Sequence, residues 1–266
     1  MNIFRRELRA YRVSTIIWVV SFAVMVYMFL MIFTSFTKDI KDSQRLIVNL
    51  PAAVRAAFDI SIKNFFTIYG FFAYLLSFIS LTGAVQAMNL GVGIISKEDS
   101  GKTSDFLLTK PISRSKVITS KMLAALSIIL ITNIIFNISA LITARIVVSG
   151  NLDIKLFLLL SATLLMVQMF FLALGFLMAV ILKKVKSVVA VSLPTVFTFF
   201  IIGALGAIIG DDKVRYLSPF KYFDSAYIID HAGYEVNFLI IETIFVIVAV
   251  SLSYLIYIKK DIKAAA

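Results

Sequence analysis

The stretch Ser96–Lys121, SKEDSGKTSDFLLTKPISRSKVITSK, is a long polar interval between two strongly apolar runs. Its six Lys/Arg and three acidic residues make it too costly to place in hydrocarbon. Gly101 and Pro111 bracket the apolar pair Leu107 and Leu108, and a proline cannot continue a helix already under way. The pattern predicts a short helix between two turns. With an apolar run on either side, that helix would lie along a membrane face, where a soluble partner could press on it.

The rest of the chain supports a membrane setting. Of its 266 residues, 61% are hydrophobic and 13% aromatic, and the mean hydropathy is +0.98, well outside soluble globular usage. There is no cysteine and a single histidine, His231, which excludes disulfides, thiol chemistry and a histidine metal cluster. A formal charge of +11 serves topology and anionic headgroups in such a protein, and no nucleic-acid partner is expected.

Working outward, Phe4, Leu8 and Tyr11 recur at helical spacing on one face of the N-terminus and Arg5, Arg9 and Arg12 on another. This predicts an amphipathic interfacial helix over residues 1–15, lying flat on the membrane. Six spans follow, at about 16–36, 65–95, 122–148, 157–182, 188–209 and 238–258. The second is long enough to require tilt or a bend near Gly91 and Gly93. The expected architecture is a single all-α transmembrane domain over residues 1–266, with polar intervals at 96–121 and 211–237.

Six spans put both termini on one side. That side, which includes 96–121, holds 16 Lys/Arg against 10 in the alternate loops, so the positive-inside rule places both termini and Ser96–Lys121 in the cytoplasm.

Catalytic chemistry finds little support. Gly101-Lys102-Thr103 resembles the end of a phosphate-binding loop, but the required earlier glycine is Ser96 and no strand precedes it. There is no HExxH or GxSxG, and the chain is not expected to be an enzyme. The polar residues within spans are Gln86, Asn89, Asn133, Asn137, Gln168 and Glu242. Asn133 and Asn137 share a helix face. Amides at this depth either hydrogen-bond between helices or line a pathway, and the first reading is favoured. Glu242, the sole acid within a span, lies about 7–8 Å along a helix from Asn237 and is expected to snorkel outward, with Arg145 a possible partner. Gly206 and Gly210 form a GxxxG match that serves packing within the bundle or a dimer.

Glu98, Gly101, Thr103, Leu107, Leu108, Pro111, Ile112, Ser113, Arg114 and Lys121 resemble the signature between the second and third spans of type-2 ABC exporter permeases. Lys102-Thr103 stands where the pattern has Gly-Thr, a one-residue offset. Tyr216–Asp224 and the basic start resemble the same family. The resemblance implies a permease subunit that moves a substrate out of the cytoplasm, paired with a second permease chain, identical or different, and with two copies of a separate cytoplasmic ABC ATPase. ATP and Mg would be bound by the ATPase, and no cofactor by this chain. It implies that residues 96–121 hold the ATPase-coupling helix, involving Glu98, Gly101, Thr103, Leu107, Leu108, Pro111 and Arg114. The basic helix would brace it, and 211–237 would make re-entrant helices under an external gate. The implied location is the bacterial cytoplasmic membrane, in contact with its lipids. The residues alone leave open a scaffold or sensor that recruits a cytoplasmic partner, and a stand-alone secondary transporter with Glu242 as its ionisable centre.

Overall fold

The computed structural model describes residues 3–38, 44–45, 47–57, 60, 64–100, 113–148, 150–182 and 184–259, without the side chains of 38, 56, 57, 98–100 and 212. Six of its helices are long and apolar enough to cross a membrane. They are α1 (Ile3–Lys38), α3 (Ile68–Ser100), α4 (Arg114–Val147), α5 (Ile154–Ile181), α6 (Val188–Ile209) and α9 (Val236–Lys259). A short α2 (Ala52–Ala57) follows the first, and α7 (Asp212–Arg215), a 3-10 turn (Pro219–Lys221) and α8 (Ser225–His231) lie between the last two. No strand occurs among the described residues. The end of the bundle where α1 begins is called the base here, and the opposite end the top.

Local sequence explains the helix limits. Helix α1 contains neither Gly nor Pro across its 36 residues. It therefore runs unbroken from the basic start through the first apolar run, with no turn separating the expected interfacial stretch. Helix α3 begins at Ile68 rather than Phe65, because Thr67 Oγ1 donates to Asn64 O at 2.6 Å and accepts from Gly70 N at 3.1 Å. Ser113 caps α4 by accepting from Lys116 N, which brings Arg114–Lys121 into the helix. Asp153 and Ser187 cap α5 and α6 in the same way. Gly210 ends α6 at φ +75°.

Helices α3 and α5 form the centre. Both are mostly buried, whereas α1, α6 and α9 present mainly outward faces. The two central helices meet backbone to backbone. A Cβ built on Gly91 would lie 2.7 Å from Leu172 O and 3.1 Å from the Gly175 Cα, and one on Gly175 would lie 3.0 Å from Met88 O. Gly91 thus serves close approach, and the helix continues past it to Ser100. Helix α1 packs chiefly on α4, and α9 on α5. In α9 the inward positions include Ala249 and Ser253, and the outward ones are Ile240, Ile244, Ile247 and Val248. Branched apolar residues on the outward face are what is expected where lipid, not water, is the solvent.

Apolar packing divides into two clusters. One centres on Met88, Ile94, Ile129 and Phe171 and reaches Tyr222 and Phe238, and the other centres on Phe22, Phe72, Phe136 and Phe157. The rings of Phe72 and Phe157 stack at 4.2 Å, and those of Phe170 and Phe245 at 4.0 Å. Phe65, Phe71 and Phe72 are buried here rather than turned to lipid.

Candidate functional site

Four helix ends converge at the base. Glu7 of α1 is buried and faces Lys97 of α3, with 3.8 Å between Oε2 and Nζ. The same ammonium lies 5.7 Å from the centre of the Tyr11 ring. From α4, the Arg114 guanidinium donates to Ile258 O in the last turn of α9 at 3.5 Å, placing a cation at a helix C-terminus. One residue on, the hydroxyls of Ser115 and Tyr254 are hydrogen-bonded. Lys121 is only 1% exposed, so its side chain turns into the bundle. Residues 101–112, which join Ser100 to Ser113 in sequence, lie outside the described residues.

Of the expected coupling residues, Arg114 is placed on the platform and the Glu98 backbone closes the last turn of α3. Gly101, Thr103, Leu107, Leu108 and Pro111 lie outside the described residues. Arg5, Arg9 and Arg12 are exposed on α1, on the side away from Glu7 and Tyr11. Sequence reading missed Glu7 and Lys97. Their charges looked like ordinary surface residues, and only their pairing across 90 positions makes them informative.

Deeper in the bundle a ladder of amides and hydroxyls joins α3, α4 and α5. Gln86 Nε2 donates to Thr132 Oγ1 at 3.2 Å, and Gln168 Nε2 donates to Gln86 Oε1 at 2.9 Å. Asn133 Nδ2 donates to Gln168 Oε1 at 2.5 Å. Asn137 Nδ2 then donates to Asn133 O, and Ser161 Oγ donates to Asn137 Oδ1 at 2.6 Å. The geometry brings together Asn133, Asn137 and Gln168 as interhelical partners.

Glu242 departs from expectation. It is 6% exposed, not snorkelling, and it forms no ion pair with Arg145, which is exposed on α4. The reason is the segment before α9, which folds back over it. Ser218 Oγ donates to Phe199 O on α6 at 2.8 Å, and Tyr222, stacked on Phe238, donates to Tyr216 O at 2.9 Å. Arg215 binds Glu235 at 2.6 Å, donates to Lys221 O, and lies 4.5 Å over the Phe238 ring. Burial, followed by the nearby Glu242 charge, pushes the Tyr222 hydroxyl pKa up. Tyr234 donates to Leu159 O at 2.7 Å, and burial pushes its pKa up to about 12.

The small-residue face of α6 receives this same segment. A Cβ on Gly203 would meet Ser218, and one on Gly206 would meet Val214, each at 2.6 Å. Gly210 meets nothing and acts as the helix cap, so the GxxxG pair is not one contact surface.

Among the described residues no group of His, Asp and Glu could hold a metal ion. Among curated proteins none matches the chain. The model of the ABC-2 family transporter proteins matches residues 1–262, almost the whole length of this multi-pass membrane protein. With six helices long and apolar enough to span a membrane, a braced basal platform, and that match, the chain belongs to the ABC-2 transporter family.

Proposed function

We propose that this chain is the permease subunit of an exporter, moving a substrate out of the cytoplasm by alternating between two packings of its bundle. Family membership implies association with an ABC ATPase, and members are membrane components without a nucleotide-binding domain of their own. In this reading two ATPase copies bind ATP and Mg, a second permease chain completes the pathway, and the base faces the cytoplasm of a bacterial cell.

The observation that carries the reading is the basal convergence. Residues 101–112 are anchored on one side by α3, tied to α1 through Lys97 and Glu7, and on the other by α4, tied to α9 through Arg114 and Ser115. A load applied to that segment reaches four helices at once. Linkage requires only that the ATPase hold the segment differently in the two states. Gly101, Thr103, Leu107, Leu108 and Pro111 form the docking element, with Glu98 and Arg114 at its roots. Arg5, Arg9 and Arg12 brace α1 at the headgroups.

Purification of the tagged chain from its native membranes in gentle detergent tests this. The expected result is an ABC ATPase recovered at one copy per permease chain, with ATP hydrolysis in the eluate. Glu98→Ala combined with Arg114→Ala should leave the chain in the membrane and remove the ATPase. A chain recovered alone and without hydrolysis would overturn the reading. Undiminished association of the double variant would overturn the roles given to those two residues.

A further inference from the structure

Glu242 sits six residues into α9, about 9 Å along the axis. That is within the apolar half-thickness of one leaflet, about 15 Å. Only 6% of the residue is exposed, and its Oε2 is shielded from solvent and has no hydrogen-bond partner. Among the described residues it joins no ion pair.

The elements around it carry nothing to neutralise a carboxylate. One turn away on its own helix stand Phe238, Leu239, Phe245 and Val246. Helix α5, on which α9 chiefly packs, has Lys155 as its sole ionisable residue, exposed in the first turn. Helix α6 has none. Helix α4 meets α9 through Ser115 and Tyr254, twelve residues and about 18 Å further down α9, and its Arg145 is exposed. From the covering segment Tyr222 faces Glu242, with its hydroxyl proton committed to Tyr216 O, while Arg215 is taken by Glu235. An acid enclosed in this way is far less costly neutral than charged.

We propose that Glu242 is a proton-binding site whose occupancy holds the cover, residues 211–235, shut. With the cover in place the carboxyl is neutral. When the cover lifts and water reaches Glu242, the O–H bond breaks, the electron pair stays on the carboxyl oxygen and the proton passes to water. The cover cannot close over the carboxylate until the proton returns. The closed arrangement thus binds one proton that the open one releases, so closure weakens as pH rises. The loss is about tenfold per unit, from the ordinary glutamate range up to the pH at which the covered acid itself ionises. The Arg215–Glu235 ion pair, which pins the same cover, acts with the opposite sign, because acid protonates Glu235 and loosens it. The direction of the pH effect therefore separates the two groups.

The chain has no cysteine, so Ser218→Cys places a single thiol on the buried side of the cover. The full chain in nanodiscs, without nucleotide or partner, is alkylated with a water-soluble maleimide between pH 6 and 8. Its rate is divided by that of the same chain carrying Glu242→Gln, which cancels the ionisation of the thiol and of the exposed His231. The ratio should rise by about tenfold per pH unit. Val214→Cys, packed on Gly206 of α6, is the second reporter if Ser218→Cys does not fold. Independently, the infrared carbonyl band of a protonated carboxylic acid should be present at pH 7 in the unsubstituted chain and lost in Glu242→Gln. A ratio that is flat or falls with pH, or a band unchanged by Glu242→Gln or missing at pH 7, would overturn the proposal.

Discussion

Gln168 holds three helices at one point. Standing on α5, it donates to Gln86 on α3 and accepts from Asn133 on α4. Gln168→Leu should therefore lower stability by roughly 1–2 kcal/mol, at the upper end for interhelical bonds in membranes. Ser161→Ala, which removes one terminal bond, should cost about 0.6 kcal/mol. Reversible unfolding in mixed micelles measures both, and equal losses would contradict the ladder. At the top, Tyr234 titrates near 12 instead of 10 because it is buried. A raised acid pKa means that the stabilisation is complete below pH 10 and is lost as pH rises from 10 toward 12. Tyr234→Phe should flatten that loss. At this scale the sequence exposed one half of each contact. Gln86, Asn133, Asn137 and Gln168 stand out as amides in apolar runs, but Thr132 does not, since its hydroxyl also returns to Ile128 O like any helical threonine. Glu242 misled for a related reason: distance along its helix placed it near the surface, while the covering segment of residues 211–235 is invisible from that distance.

Among elements, the α3–α5 contact is the least forgiving. A valine at Gly91 would drive its Cβ against the Leu172 carbonyl, backbone that cannot rotate away. Gly91→Val should cost at least about 1–3 kcal/mol and part the two helices. Gly206→Val should cost less, because it presses on the side chain of Val214 rather than on backbone. Melting temperatures of the two variants in the same detergent order them, and the reverse order would mean that α6, not the central pair, limits stability. The positions of the six helices were legible from hydropathy, and their caps at Ser113, Asp153 and Ser187 follow known chemistry. The glycine contacts were less legible. A GxxxG match is visible within one helix, whereas Gly91 and Gly175 become a pair only when two helices 84 residues apart are brought side by side. In helix α1 the basic face predicted an interfacial stretch, and nothing in its sequence breaks the helix where that stretch meets the first apolar run.

At the scale of the whole molecule, the base is held by charges of opposite sign on different helices. Glu7→Lys places two cations together and should weaken ATPase association severalfold, while Glu7→Lys with Lys97→Glu should restore much of it. Co-purification yields at fixed ionic strength test the pair, and failure of the swap would show that Glu7 acts alone. Which helices occupy the centre was not read from hydropathy, because all six are apolar enough to be inside. Lipid outside and protein inside differ little in polarity. The signal lay in residue size and amide content, for α3 and α5 carry Gly83, Gly91, Gly175, Gln86 and Gln168. Touching backbones and a cross-linked row of amides also restrict what this molecule can do mechanically. Neither central helix can telescope past the other without collision at Gly91 and loss of the bonds at Gln168. In the proposed exporter, a stroke delivered to the base would tilt the pair as one body. With α3 about 50 Å long, a small tilt at one membrane face becomes a displacement of several ångströms at the other.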